Sequence, residues 1–128
     1  MWYPDGETGE ELCFEFDFEV ENSGGRSTTV TGATLYFPNP RLSPRFKYLI
    51  RNPRHEVTLD IEKVPVEPGK TAALYAWVSE RDPQDGTFEP RRDLDAVLVV
   101  TTVDSTSYHR VWLELFDPAE AEPRQVLV

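Results

Sequence analysis

Apolar and polar residues alternate along much of the chain, and this period of two is the pattern of β-strands. The clearest run covers residues 12–20, where the two faces differ in character. One face holds five apolar side chains: Leu12, Phe14, Phe16, Phe18 and Val20. The other holds Cys13 and then four acids, here called the acidic ladder: Glu15, Asp17, Glu19 and Glu21. The alternation predicts a strand with one face in the core and an acidic face outside.

Further strands are predicted where the alternation recurs between turn residues rich in Gly, Pro, Asn and Asp. They cover residues 27–37, 46–50, 55–61, 71–79, 96–103 and 108–116, with 126–128 as a candidate short extra strand. Residues 64–71 are expected to form a turn that leads into the strand at 71–79, and residues 80–93 are expected to form a long loop. About seven strands in a chain of 128 residues predict an all-β fold, an antiparallel two-sheet sandwich. The expected division is an acidic lead-in over 1–11, a sandwich domain over 12–116 and a polar tail over 117–128.

Two stretches resemble the turn motifs of a known class of domain. The first is residues 18–24 (FEVENSG) running into 29–35 (TVTGATL), and the second is residues 66–71 (VEPGKT). Together they resemble the V-x-N-x-G, V-x-x-(V/A)-x-L and P-G-x-x pattern of bacterial immunoglobulin-like and fibronectin-III-like accessory domains. The resemblance covers residues 12–116, without the Cys pair and core Trp of an antibody-type domain. It implies an immunoglobulin/fibronectin-III-like sandwich and a function in adhesion, scaffolding or domain spacing.

The net charge of the chain is unevenly distributed. With 13 Lys plus Arg and 23 Asp plus Glu, the formal net charge is -10, and residues 1–25 hold eight acids and no base. A basic segment follows some residues later: Arg41, Arg45, Lys47, Arg51 and Arg54. An acidic protein of this kind is not expected to bind nucleic acid or an anionic membrane nonspecifically.

Targeting signals are not evident in the sequence. No apolar run approaches the roughly 18 residues of a membrane-spanning helix, and the start of the chain lacks the basic and apolar regions of a secretory signal. Cys13 is the single cysteine, so an internal disulfide is excluded. These features favour a cytoplasmic location, unless an N-terminal anchor has been removed.

The acidic ladder is the first candidate interaction surface. Same-face side chains on a strand lie roughly 7 Å apart, so like charges repel and need water, cations or basic partners. One interpretation is a solvated face that prevents edge-to-edge aggregation. The other is a docking surface for a basic partner, or for the chain's own basic segment. Calcium is disfavoured, because it needs about 6–8 converging oxygens and a straight strand spreads its carboxylates apart.

Aromatic residues on two predicted strands form the second candidate surface. Tyr75 and Trp77 share one strand face, and Tyr108 and Trp112 share another with Arg110 between them. If the two strands lie near one another, these residues would form a patch suited to a protein interface or to stacking of sugar rings. The alternative is that they cover the outer face as cross-strand pairs, or that Trp77 lies in the core.

No catalytic residue, cofactor site or metal site is predicted. Asp104, Ser105, Ser107 and His109 are close in sequence, but a strand sends neighbours to opposite faces and no nucleophile elbow is present. The two histidines, at 55 and 109, lack a second ligand at metal spacing. The sequence predicts a non-catalytic module for protein–protein interaction or structural assembly, with a protein partner or a homo-oligomer. The alternative is a carbohydrate-binding module that uses exposed Trp and Tyr.

Overall fold

The computed structural model describes residues 1–5, 10–38, 53–89 and 91–116. In these ranges the protein is all-β, without a helix, and its strands are antiparallel. The strands are β1 (Trp2–Asp5), β2 (Glu11–Glu21), β3 (Thr28–Phe37), β4 (His55–Ile61), β5 (Val64–Val66), β6 (Thr71–Arg81), β7 (Leu94–Thr102) and β8 (Thr106–Leu113). The all-β prediction is therefore confirmed, whereas the predicted strands at 46–50 and 126–128 lie outside the described residues. No helix in the described ranges is suited to crossing a lipid bilayer.

The strands form one curled open sheet, a half-barrel, in the order β1-β2-β6-β4-β3-β7-β8, with β5 paired to β3. The curl is centred on β4, which pairs with β3 through residues 55–59 and with β6 only at Asp60 and Ile61. Because β4 changes partner, the flanking strands turn toward each other, and their inner faces contribute to one hydrophobic core.

The two ends of the sheet meet at a single point. The backbone N–H of Trp2 donates to the carbonyl of Glu114 at 3.0 Å, and the Trp2 carbonyl accepts from the N–H of Phe116 at 2.9 Å. On its other side β1 pairs with β2 only over residues 11–14. Among the described residues, the rest of β2 has no strand beside it on this edge. The gap between this part of β2 and β8 is here called the seam.

Four aromatic side chains, here called the aromatic cluster, fill one end of the core: Trp2, Phe14, Phe37 and Phe88. The Phe88 ring centroid lies 5.6 Å from that of Trp2, 5.7 Å from Phe14 and 5.0 Å from Phe37. All four are at most 1% exposed. Phe88 belongs to the stretch that the sequence analysis assigns to a loop, so an irregular segment supplies the ring that touches the other three.

Two strands are not predicted from the sequence. β1 lies in the stretch expected to be an acidic lead-in, yet its Trp2 is fully buried and donates its indole N–H to the Arg92 carbonyl at 3.0 Å. β5 lies where a turn is expected. Both strands are short and contain a proline, Pro4 and Pro65. Proline removes a ladder donor and weakens the alternation of apolar and polar residues, so the sequence pattern does not predict either strand.

The turn between β2 and β3 is held by a buried asparagine. Asn22 donates its side-chain N–H groups to the carbonyls of Arg26 at 2.7 Å and Val66 at 2.8 Å. Its side-chain oxygen accepts from the N–H of Gly24 at 3.0 Å, and its backbone carbonyl accepts from the N–H of Gly69 at 2.8 Å. Gly69 has a φ of 74°, which favours glycine. These bonds tie this turn to the one before β6.

The aromatic cluster predicts a large cost for removing Phe88. Replacing a buried Phe by Ala leaves a cavity, so Phe88→Ala should lower the free energy of unfolding by about 3–5 kcal/mol. Val103→Ala is the control, because Val103 is 65% exposed, and it should change stability by less than about 0.5 kcal/mol. Urea unfolding measures both, and equal losses in the two variants would contradict the central position given to Phe88.

The contacts of Asn22 predict a second loss of stability. Asn22→Ala removes two donors and one acceptor from a site that is 7% exposed, which should lower the free energy of unfolding by about 2 kcal/mol. Ser23→Ala, at the exposed neighbouring position, is the matched control and should have little effect. A loss below about 0.5 kcal/mol for Asn22→Ala would show that water replaces these hydrogen bonds.

Candidate functional site

The acidic ladder and the first aromatic pair lie on one face of two neighbouring strands. In the register of β2 with β6, Glu15 is opposite Trp77 and Asp17 is opposite Tyr75. Cross-strand partners point to the same side of a sheet. Glu15, Asp17, Glu19, Tyr75 and Trp77 therefore form one surface, here called the acidic–aromatic face. The sequence alone does not bring the two features together, because no local pattern encodes the pairing of strands 60 residues apart.

Both aromatic side chains of this face are accessible. Tyr75 is 48% exposed and Trp77 is 50% exposed, so Trp77 does not lie in the core. Asp17 and Glu19 are exposed, and Glu15 is half-buried. The alternation that places Leu74, Ala76 and the Phe side chains inside leaves these rings on the solvent side.

Tyr75 and Glu15 are joined by a hydrogen bond across the face. The Tyr75 hydroxyl donates to Glu15 Oε1 at 2.8 Å. This bond, together with partial desolvation and the negative charges of Glu15 and Asp17, raises the pKa of Tyr75 above its ordinary value. The phenol therefore stays a neutral donor, and its ring stands among carboxylates.

Three adjoining depressions share Tyr75 as a wall. One of about 420 Å³ lies where β4 leaves β6 and is bordered by Asp60, Glu62 and Trp77. A second, of about 400 Å³, is bordered by Asp17 and Glu19. The third, of about 530 Å³, lies at the seam between β2 and β8. Among the described residues no Lys or Arg lines any of them, so the charged side chains that line the three depressions are all carboxylates.

The ends of the acidic ladder differ from its middle. Glu21 is exposed beside Thr71, at the last pair of β2 with β6. At the other end Cys13 is on the same face but is only 8% exposed, with its sulfur 3.6 Å from the Ser79 hydroxyl. The accessible part of the acidic–aromatic face therefore begins after Cys13.

The second aromatic pair lies on a different part of the sheet. Tyr108, Arg110 and Trp112 share the outer face of β8, and Arg110 bonds to Asp95 of β7 at 2.6 Å. Tyr108 is 48% exposed and Trp112 is 64% exposed. Along the sheet, β4, β3 and β7 lie between β6 and β8. Across the seam, however, Trp112 approaches Tyr75, and both line the depression there.

The two histidines make side-chain contacts within the fold. His55 Nε2 lies 2.6 Å from Glu80 Oε1 and packs against Phe88 at one end of the core, while His109 bonds to the Ser107 hydroxyl at 3.0 Å. In the part of the chain that the structure describes, no group of three or more His, Cys, Asp or Glu is placed to hold a metal ion. Glu56 and Glu67 are exposed acids outside the acidic–aromatic face.

The loop that carries Phe88 is braced by its own acids. Asp85 accepts the N–H of Thr87 at 2.9 Å, and Arg54 donates to the Asp85 carbonyl. Desolvation opposes ionisation of Asp85, but the Thr87 hydrogen bonds and the charges of Arg54 and His55 outweigh it and lower its pKa. Arg54 is the one residue of the basic segment whose contacts are described, and they lie in this loop. The other members, Arg41, Arg45, Lys47 and Arg51, lie outside the described residues.

The hydrogen bond to Tyr75 predicts a pKa change on mutation. Glu15→Ala removes the acceptor and its charge, so the pKa of Tyr75 should fall toward its ordinary value. Glu19→Ala is the matched control, because Glu19 does not contribute to the shift. Titration of the Tyr75 ring carbon signal by NMR, assigned with Tyr75→Phe, measures this. Coinciding titration curves for Glu15→Ala and the unmodified protein would contradict the proposed origin of the shift.

Comparisons of the chain with protein-family models, with curated proteins and with solved structures find no match.

Proposed function

We propose that this chain is a non-catalytic interaction module that binds a basic segment of a partner protein through its acidic–aromatic face. The observation that carries the proposal is that two large aromatic side chains, Tyr75 and Trp77, stand half exposed among carboxylates. Tyr and Trp are enriched at the centres of protein interfaces, where their burial contributes most of the binding energy. Because no described residue covers these two side chains, the face is suited to binding a partner.

The charge of the face selects the kind of partner. Lys and Arg side chains interact with Trp and Tyr rings by cation–π contacts worth about 0.5–2 kcal/mol, and with carboxylates by charge-assisted hydrogen bonds. The carboxylates also accelerate association with a basic segment and repel acidic ones. Glu15, Asp17 and Glu19 on β2 and Asp60 on β4 supply these carboxylates on the same side as the two rings.

We also propose the finer architecture, an antiparallel two-sheet sandwich of immunoglobulin/fibronectin-III-like type. The strand order supports a layer of β1, β2 and β6 and a layer of β4, β3, β7 and β8. The two proposed layers share side-chain contacts, such as Phe14 of β2 with Phe37 of β3 at 5.7 Å. The turn motifs at 18–24 and 66–71 support the same assignment. Such domains commonly serve as interaction or spacing modules.

The proposed function is tested with a synthetic peptide in which Lys and Val alternate. Binding is followed by NMR shifts of the Tyr75 and Trp77 signals and by calorimetry at low and high salt. Tyr75→Ala and Trp77→Ala should each weaken binding by about 1–2 kcal/mol. Tyr108→Ala is the matched control, because Tyr108 and Tyr75 are both 48% exposed, and it should leave binding unchanged.

The acids are tested by charge reversal. Glu15→Lys plus Glu19→Lys should abolish peptide binding at low salt, whereas the control pair Glu56→Lys plus Glu67→Lys changes net charge equally at other exposed positions. Equal effects of the two pairs would leave only a nonspecific charge effect and would contradict the proposal. Binding of a neutral oligosaccharide that is insensitive to salt and to the Glu15 and Glu19 reversals would support the carbohydrate-binding alternative instead.

A further inference from the structure

We propose that the partner segment binds as an added β-strand, with alternating basic and apolar residues, along the edge of β2 that has no described strand beside it, here called the free edge of β2. This inference rests on the proposed function and specifies how the acidic–aromatic face is used. Addition of a strand to an open edge supplies main-chain hydrogen bonds for affinity and side-chain pockets for specificity. Three features of β2 support strand addition: the hydrogen-bonding positions of its backbone, the partly buried apolar side chains on its inner face and the acidic side chains on its outer face.

The backbone of β2 has hydrogen-bonding positions on this edge that no described strand uses. Glu15 and Met1 exchange both backbone hydrogen bonds at 3.0 Å, so the N–H and C=O groups of Glu15 point away from β6. In an antiparallel ladder these directions alternate. Asp17 and Glu19 therefore point their backbone groups the same way, while Phe16 and Phe18 bond to β6. No strand of the described chain pairs with Asp17 or Glu19 on that side.

The inner side of the edge is incompletely covered. Phe16, Phe18 and Val20 belong to the core-facing set of β2, yet each is only partly buried. Val111 of β8 is in the same state across the seam. A groove of about 530 Å³ separates the two strands and is lined by Phe16, Val111 and Trp112. Apolar side chains of an added strand would fill this groove and complete the burial of the Phe side chains.

The outer side of the same edge is acidic. An added strand would place every second side chain beside Asp17, Glu19 and the Tyr75 ring, because paired residues share a face. Basic residues at these positions neutralise the carboxylates, and apolar residues between them enter the seam. A segment of about six extended residues, roughly 20 Å long, matches the open stretch from Phe16 to Glu21.

Charge disfavours two other occupants of the edge. A second copy paired through β2 would bring acids of the ladder against one another, and like charges opposed across strands are destabilising. The chain's own residues 117–128 contain three acids, one base and two prolines. Proline removes ladder donors, so this composition suits neither the edge nor its charge. A basic segment satisfies both requirements, and we assign it to a different protein; if the chain's own residues 41–54 held the edge instead, the synthetic peptide would not bind in any form.

The test compares four forms of one peptide of about ten residues, long enough to span the open stretch. In the first form Lys and Val alternate; in the second the same residues are arranged in two blocks. In the third, the backbone nitrogens of two central Lys residues are methylated, and in the fourth, the matched control, those of two Val residues are methylated. Lys residues opposite Asp17 and Glu19 would donate to β2, so their methylation should weaken binding at least about tenfold. Methylation at Val, whose N–H groups point away from β2, should weaken it less than about threefold.

Variants of the protein test the same hydrogen bonds by changing β2 and leaving the peptide unchanged. Asp17→Pro removes one edge N–H without breaking a bond to β6, and Asp17→Asn removes only the charge. The Pro variant should bind the alternating peptide about fivefold more weakly than the Asn variant. Circular dichroism and urea unfolding confirm that both remain folded, and if the Pro variant unfolds, the methylated peptides decide alone.

The outcomes separate this inference from the function on which it rests. If no form of the peptide binds, the proposed function fails. If the alternating, block and N-methyl-Lys peptides all bind equally well through Tyr75 and Trp77, the function stands and strand addition is overturned. Binding that depends on alternation and on the Lys N–H groups supports both.

Discussion

The contact of Phe88 with Trp2, Phe14 and Phe37 is the interaction on which the rest of the structure depends. It joins β1, β2, β3 and the segment between β6 and β7 at one end of the core. With Phe14 held inward, the period of two determines the direction of every other side chain along β2. The carboxylates of the ladder must then face outward, and pairing with β6 brings Tyr75 and Trp77 beside them.

Local alternation of apolar and polar residues predicts much of the fold. The elements that the sequence does not predict are those without such alternation. The stretch 55–61 was predicted with the bounds that β4 has, because Val57, Leu59 and Ile61 alternate with polar residues. The sequence assigns Phe88 to a loop, because irregular backbone has no regular spacing of apolar residues. A core position in such a segment therefore cannot be recognised from the local pattern. The sequence indicates the acidic ladder and the pair of Tyr75 and Trp77 separately. That they form one face depends on the register between β2 and β6, which no single segment of the chain encodes. The exposure of Trp77 depends on what covers the sheet, which alternation does not determine.

The free edge of β2 meets two opposing requirements. An open strand edge invites pairing with other copies, and a row of acids prevents it by mutual repulsion. In the proposed binding mode the same acids attract a strand of opposite charge, so one feature would both disfavour pairing between copies of the protein and favour a basic partner. Specificity of this kind comes from repulsion of wrong partners as much as from attraction of the right one. The half-exposed Tyr75 and Trp77 give such a partner apolar area to bury, which charge alone does not provide.

Hydrogen exchange of the β2 amides tests the central claim, that a basic strand adds to this edge, most directly. Phe16 and Phe18 bond to β6, so their amides should be protected with and without the alternating peptide. The amides of Asp17 and Glu19 should exchange rapidly in the free protein and slow by at least about tenfold in the complex, since exchange reports local opening of hydrogen bonds. Unchanged exchange at Asp17 and Glu19, in a complex where Tyr75 and Trp77 signals shift, would contradict it.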